Sequence, residues 1–464
     1  MKINIASNEI IHFIGIGGIG MSGLAQIMNN MGFKVQGSDA SSSKNTDRLT
    51  KAGIKVYFNH NKKNINKVTM VVISSAIKKN NCELIESKNK KIPIFKRGEV
   101  LANIVALKKN IVVAGSHGKT TTTSLVANIL VKAGLDPTVI NGGVINSLKN
   151  TAHLGKGDWA VIESDESDGS FLKLPVTYSI VTNLDKEHLD FYGSFNKLKN
   201  SFHSFIEKTP SFGKSIVCLD NSNLKELLKK CNSNKFLTYG FNKKSNYQII
   251  NLRKNLSFLT FDLNVRLVGS NTFTIKDIKL NLLGNHNVLN ATAAIAIALN
   301  IGIKVGAIKK SLKIFSGIQR RFTKIFSINK VDFYDDYAHH PTEIKALLEG
   351  ARDVYKNRKL VSVFQPHRYS RAKLLEKEFA ESFKLSNTVI LCPVYAAGEK
   401  VNRNFNQEDF SKLITKKSNT QVINIKNKSE LSKYIKKNLF TDELVICMGA
   451  GSISNWIREI SKEI

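Results

Sequence analysis

The stretch AGSHGKTTTT, residues 114–123, follows the apolar run NIVV and precedes SLVANILVKAG, in which Leu125, Val126, Ile129 and Leu130 recur at helical spacing up to a terminator at Gly134. A strand, a glycine loop and a helix in that order form a phosphate-binding unit. Gly115 and Gly118 let the backbone approach phosphate oxygens. The helix opening near Thr120 aims unpaired N–H groups at them, and Lys119 adds a full positive charge. Thr120 is placed to offer its hydroxyl to Mg²⁺. The spacing is shorter than that of a Walker A loop, because Val113 stands where that pattern has its first glycine.

A loop of this kind calls for an acid at the end of a neighbouring strand. In DWAVIESDESD (158–168), Glu163 is the first polar residue after an apolar strand; Asp165, Glu166 and Asp168 follow at once, and spacing leaves the choice among the four open. In YSIVTNLDKEHLD (178–190), His188 stands among Asp185, Glu187 and Asp190 after another strand. It is a candidate ligand for a second metal ion through a neutral ring nitrogen, with a purely structural histidine as the competing reading.

The chain reads as three blocks with boundaries near residues 107 and 317. The first opens with the strand IIHFIGIG and continues into a helix with Leu24, Ile27, Met28 and Met31 on one face. GIGGIG (15–20) matches G-x-G-x-x-G, with Asp39 at about the distance expected of a ribose-binding acid. Alone it reads as nicotinamide-dinucleotide binding, but the same geometry holds any diphosphate at a helix N-terminus. Residues 221–283, with runs such as LSFLTFDLNV, read as an antiparallel meander. Asn287 and Asn290, in GNHNVLNATAA, suit either a nucleoside contact or helix capping. In the third block DDYAHHP (335–341) and FQPHRYSR (364–371) each follow a strand; Arg368 and Arg371 are spaced to share a helix face and clamp a carboxylate or phosphate. Blocks one and three share a βα rhythm that implies open parallel sheets.

At 464 residues with 42% hydrophobic content the chain has sizeable cores, and no apolar run is long enough to span a bilayer. The start lacks the pattern of a secretory signal, so a cytoplasmic protein with no membrane partner is expected. Five cysteines with no C-x-x-C pair point to reduced thiols and no structural zinc. The net charge of +32 is spread as lysine among asparagine, without an arginine-rich stripe or interleaved aromatics. It predicts attraction of an anionic substrate and no nucleic-acid partner.

Taken together, HFIGIGGIGMSGLA, the GSD at 37–39, GSHGKTTTT, ESDESDGSF, TNLDKEHLD, GNHNVLNATAA, the RRF at 320–322, DDYAHHPTE and FQPHRYSR resemble the Mur ligase family along the whole chain. The short phosphate loop is the regular form in that family. The resemblance implies an α/β protein of three domains. Residues 1–107 would be a Rossmann-like domain for a UDP-linked substrate, and 108–317 a central P-loop ATPase-type domain with the meander. Residues 318–464 would be a Rossmann-like C-terminal domain contacting ATP and an amino acid.

The implied activity is ATP-dependent amide formation in peptidoglycan synthesis, with ATP and Mg²⁺ as cofactors and UDP-N-acetylmuramate and L-alanine as substrates, in a monomer or weak homodimer. FQPHRYSR and the first glycine loop favour single-alanine addition over transfer of a preformed tripeptide. Carried over residue by residue, Ala114, Gly115, Ser116, His117, Gly118, Lys119, Thr120 and Thr121 would hold ATP phosphates, and Asn287, Asn290, Arg321 and Asp336 would contact the rest of ATP. Thr120, Glu163 and His188 would be metal ligands. Gly15, Gly17, Gly18, Gly20, Ser38 and Asp39 would bind the UDP substrate. Tyr337, His339, Arg368 and Arg371 would arrange the muramyl carboxylate and alanine beside Lys119 and His188, with His339 a candidate to deprotonate the amine.

Overall fold

The run Ile10–Ile14 is the middle strand of a five-stranded sheet because its residues are buried on both faces, as parallel strands covered by helices require. Its neighbours are Lys34–Asp39 and then Lys55–Phe58 on one side, and Met70–Ile73 and then Ile94–Lys96 on the other, all parallel. The strand order therefore reverses beside Ile10–Ile14, and the carboxyl ends at that reversal are where such sheets take ligands. Helix Ile19–Asn30 rises from the glycine loop there, burying Leu24, Ile27 and Met28 as its spacing predicts. The computed structural model describes residues 9–74, 76–148, 150–255, 258–267, 269, 271–400, 405–438 and 442–463.

A ten-stranded sheet is built around Lys109–Ala114, which pairs in parallel with Trp159–Glu163 and Tyr178–Val181. Beyond Tyr178–Val181 come Ser215–Cys218, Phe236–Gly240 and then Tyr247–Lys254, Leu259–Val265 and Phe273–Leu280 as successive neighbours. These last three are consecutive in the chain and adjacent in the sheet, the order of a meander. It begins later than the sequence suggests. Asn221 accepts the Leu224 N–H (3.0 Å) and caps helix Ser222–Leu228, whose buried Leu224, Leu227 and Leu228 follow helical spacing. Phe236–Gly240 still runs parallel to Ser215–Cys218. Lysine and asparagine on the exposed positions hide that helical period from a composition-led reading.

A six-stranded sheet occupies the C-terminal part, with Thr323–Ile328 antiparallel to Val331–Asp336 at one edge and Glu443–Met448, Lys359–Phe364, Thr388–Leu391 and Gln421–Asn424 following in parallel. The chain forms two compact units. One comprises Met1–Leu252, Thr260–Leu280 and Leu289–Ser316; the other comprises Arg253–Leu259, Asn281–Val288 and Gly317–Ile464. The first unit contains both the glycine loop and the phosphate loop, since helix Ile19–Asn30 lies against strands Thr138–Ile145 and Asn150–His153. Among the described residues no helix is long and apolar enough to cross a membrane, and all five cysteines are free thiols.

Candidate active site

Gly115 (φ 134°) and Gly118 (φ 79°) both occupy backbone conformations closed to most side chains, and between them the chain turns from strand Lys109–Ala114 into helix Lys119–Lys132. The loop is held from beneath by Asn183, whose carbonyl accepts the Ser116 N–H (3.2 Å) and whose Oδ1 accepts the His117 N–H (2.7 Å). Thr182 Oγ1 donates to the His117 carbonyl (2.6 Å), and Ser116 Oγ accepts the Asp185 N–H (2.8 Å). The amides left to receive an anion are those of the first helical turn, which have no carbonyl one turn earlier. Thr121 belongs to that turn. Thr122 is fully buried and donates to Asn290 Oδ1 (3.2 Å).

Two carboxylates divide the helix start between them. Thr120 Oγ1 donates to Glu163 Oε1 (2.9 Å), and Glu163 Oε2 accepts the Gly142 N–H (2.5 Å). Lys119 Nζ donates to Glu166 Oε1 (2.9 Å) and to the carbonyls of Gly115 (2.5 Å) and Ser116 (3.2 Å). Burial alone would lower the Lys119 pKa, but Glu166, Asp165 and Glu187 outweigh it and raise it, so the ammonium stays charged. His188 Nε2 lies 3.5 Å from the same Glu166 oxygen, on a residue in the left-handed region (φ 54°). Its pKa is pulled down by burial and, more strongly, up by Glu166 and Glu187. Glu166 Oε2 is buried without a hydrogen-bond partner.

Glu166, Glu187 and His188 bring ligand atoms within 4.8 Å of one another. The set at this helix start is rich in oxygen, includes one orphaned carboxylate oxygen, and so suits a hard divalent cation.

In the glycine loop, Ser38 O accepts the N–H groups of Gly15 (2.8 Å) and Ile16 (3.0 Å), and Asp39 Oδ2 accepts that of Gly17 (2.8 Å). These amides shape the loop. Gly18, which is exposed, caps helix Ile19–Asn30, whose first-turn amides have no carbonyl one turn earlier. The Arg97 side chain lies directly against Gly20.

The other unit has its own polar cluster. Asp336 is buried and accepts the N–H groups of Ala338 and Phe322 (2.7 Å each); burial lifts its pKa to about 6 against the pull of Arg321. Arg320 and Arg321 both stand over the Tyr337 ring. His339 Nδ1 meets the Tyr337 carbonyl (2.9 Å), and its ring lies edge-on to His367 at 5.9 Å. Burial pushes His339 down to about 4 and His367 to about 3, so both are neutral at pH 7. Arg371 Nη1 and His367 Nδ1 are buried without hydrogen-bond partners. Arg368 is not on a helix face with Arg371: it has φ 68° and is the cap of helix Tyr369–Leu374, its N–H bonded to the Tyr395 carbonyl (2.8 Å). Asn287, which belongs to this unit, donates to the Leu283 carbonyl (2.7 Å), whereas Asn290 sits beside Gly118 in the first unit.

Three family models match consecutive stretches: "Mur ligase family, catalytic domain" over residues 10–109, "Mur ligase middle domain" over 113–298 and "Mur ligase, glutamate ligase domain" over 320–451. A UDP-N-acetylmuramate–L-alanine ligase of Pelagibacter ubique is 56% identical over the full length of both chains. The chain belongs to the Mur ligase family. A Brucella ovis protein of the same name is 42% identical, covering 100% of this chain and 98% of its own. Among solved structures, the UDP-N-acetylmuramate–alanine ligase of Thermotoga maritima superposes with a TM-score of 0.84 at 28% identity over 98% of each chain. A murein peptide ligase of Psychrobacter arcticus shares the fold, with a TM-score of 0.73 at 24% identity and 98% coverage of each.

In this Mur ligase, several contacts escape reasoning from sequence. Glu166 is one of four equivalent acids along the chain, and only the fold shows which of them meets Lys119. Asn183 lies just past the end of strand Tyr178–Val181, as Glu163 lies at the end of Trp159–Glu163, a signal that could have found it. Arg97 lies in a basic segment with no motif of its own. Gly115→Ala tests the loop geometry: a Cβ would collide with the Thr182 hydroxyl and stand 3.0 Å from its backbone nitrogen, at a φ that alanine resists. The substitution is expected to lower unfolding free energy by about 2–5 kcal/mol in urea titration. Wild-type stability would mean that the loop is not held as described.

Proposed function

We propose that this chain is an ATP-dependent ligase that joins L-alanine to the lactyl carboxylate of UDP-N-acetylmuramate in cytoplasmic peptidoglycan-precursor synthesis. The observation that carries this reading is the helix start at which Lys119 and Thr120 each meet their own carboxylate, in a chain 56% identical throughout to a ligase of that name. Residues 1–107 would serve the UDP substrate, 108–317 ATP, and 318–464 the amino acid together with part of ATP.

The lactyl carboxylate attacks the γ-phosphorus, ADP leaves, and an acyl phosphate forms. The neutral amine of alanine then adds to the acyl carbon, and the tetrahedral intermediate expels phosphate while the nitrogen loses a proton. Negative charge accumulates in both steps, and fixed positive groups facing it supply the acceleration. Lys119 and the first-turn amides of helix Lys119–Lys132 bear on the phosphoryl oxygens. Thr120 and Glu163 would hold one Mg²⁺, and His188, beside Glu166 and Glu187, a second. When bound, the metal supplies charge neutralisation and a template for the phosphates. Asn290, Asn287, Arg321 and Asp336 would position ATP, and Tyr337, His339, Arg368 and Arg371 the carboxylate and amino acid. Neutral His339 can accept a hydrogen bond from the amine, but with its pKa pressed to about 4 it is a poor proton acceptor, which weakens its candidacy as the base.

Phosphate release from ATP with UDP-N-acetylmuramate tests the assignment. Release with L-alanine, and less with glycine or serine, is expected. Release only with a tripeptide would reassign the protein to the recycling branch of the family.

A further inference from the structure

Glu83, at the start of helix Cys82–Asn89, is 0% exposed yet ionised: burial pushes its carboxyl up, but hydrogen bonds from His12, Ser38 and Asn64 bring it to about 2. Its Oε1 accepts the Asn61 N–H (3.1 Å) and Asn64 Nδ2 (2.6 Å). Its Oε2 accepts Ser38 Oγ (2.5 Å) and stands 3.2 Å from His60 Nδ1 and 3.4 Å from His12 Nε2. Gln36 Nε2 meets the other nitrogen of His12 at 3.2 Å, which leaves the His12 Nε2 proton for Glu83. One carboxylate thus gathers groups from strands Ile10–Ile14 and Lys34–Asp39 and from the segment between strands Lys55–Phe58 and Met70–Ile73. A buried ionic network is weak evidence of stabilisation, since well-packed apolar residues often serve as well. What distinguishes this one is where it leads.

Ser38 is the link. Its hydroxyl is held by Glu83, while its carbonyl receives the Gly15 and Ile16 amides and its neighbour Asp39 receives that of Gly17. The corner that folds the glycine loop is therefore fixed from behind by Glu83. We propose that Glu83 is a positioning residue that holds the Ser38–Asp39 corner, and through it the glycine loop, in the shape that receives the diphosphate of the UDP-linked substrate. The proposal rests on the reading that this loop takes that substrate.

The Asn61 N–H and Asn64 Nδ2 on one oxygen, and Ser38 Oγ and His12 Nε2 on the other, each present a hydrogen to Glu83, so a glutamine there would set its NH₂ group against donors whichever way it turned. Glu83→Gln is expected to raise KM for UDP-N-acetylmuramate at least about tenfold, with kcat and the KM values for ATP and L-alanine unchanged, the pattern of lost ground-state binding. Ser38→Ala cuts the link to the loop, together with the contact of Ser38 Oγ to His60 Nδ1 (2.9 Å), and leaves Glu83 its other partners. It is expected to raise the same KM, less steeply, and to add little in the Glu83→Gln background. Ser38→Ala carries the test by itself if the glutamine variant does not fold. An unchanged KM for the UDP substrate in the folded variants, or an equal change in all three KM values together with kcat, overturns the proposal. Calorimetric titration with UDP separates the two claims. If the wild type does not bind UDP, the reading of the loop falls along with the proposal. If wild type and both variants bind it equally, only the proposal falls.

Discussion

Lys119→Ala is expected to lower kcat/KM for ATP by about a thousandfold or more, because in the proposed mechanism its ammonium would face phosphates whose charge rises during transfer. Sequence alone suggests that such a variant keeps its fold, the charge being used on a ligand and not in a core. The structure adds a cost in stability. Glu166 is 1% exposed and Lys119 is its ammonium hydrogen-bond partner, so truncating the lysine leaves a buried carboxylate facing the more distant His188 (3.5 Å) without its ammonium. Breaking such a pair by removing one partner costs about 3–5 kcal/mol. Lys119→Ala should therefore unfold at lower urea than the wild type, and Glu166→Gln in the same chain should restore most of that stability without restoring turnover. Recovery of turnover in the double variant would mean that the ion pair, and not the phosphate contact, is what the lysine supplies.

Glu163→Ala is expected to lower kcat by about 10²–10³-fold and to shift the Mg²⁺ dependence to higher concentration, with stability nearly unchanged. The reasoning differs from that for Glu166. Glu163 is only half-buried, and its partners, the Thr120 hydroxyl and the Gly142 amide, are not left with a buried charge when it is removed. A Mg²⁺ titration of turnover in Glu163→Ala and Glu166→Gln checks the division of labour. If the Mg²⁺ requirement moves in Glu166→Gln and stays put in Glu163→Ala, the ligand at Thr120 is wrongly assigned.

Much of this architecture is legible in the order of residues along the chain. The strand–loop–helix at residues 109–132 and the βα start at 10–30 are local patterns, each decided by a few glycines between an apolar run and a helical period. The acids after Trp159–Glu163 and the polar group after Tyr178–Val181 are legible for the same reason: a parallel sheet exposes its carboxyl ends, so the first polar residues after a buried strand sit where ligands bind. The early onset expected for the meander fails because lysine-rich exposed positions mask Leu224, Leu227 and Leu228.

The sequence by itself determined the two glycine loops at helix starts and the family, since each rests on spacing within a short segment. Only the tertiary structure decided the pairings: Glu163 with Thr120, Glu166 with Lys119 and His188, Asn290 beside Gly118, and Glu83 behind the first glycine loop. Four acids within six residues at the end of one strand look alike along the chain. Which of them is buried against an ammonium and which faces a hydroxyl depends on the direction each side chain takes from the strand end. That direction is set by hydrogen-bond partners 21 to 47 residues away, which no local spacing encodes.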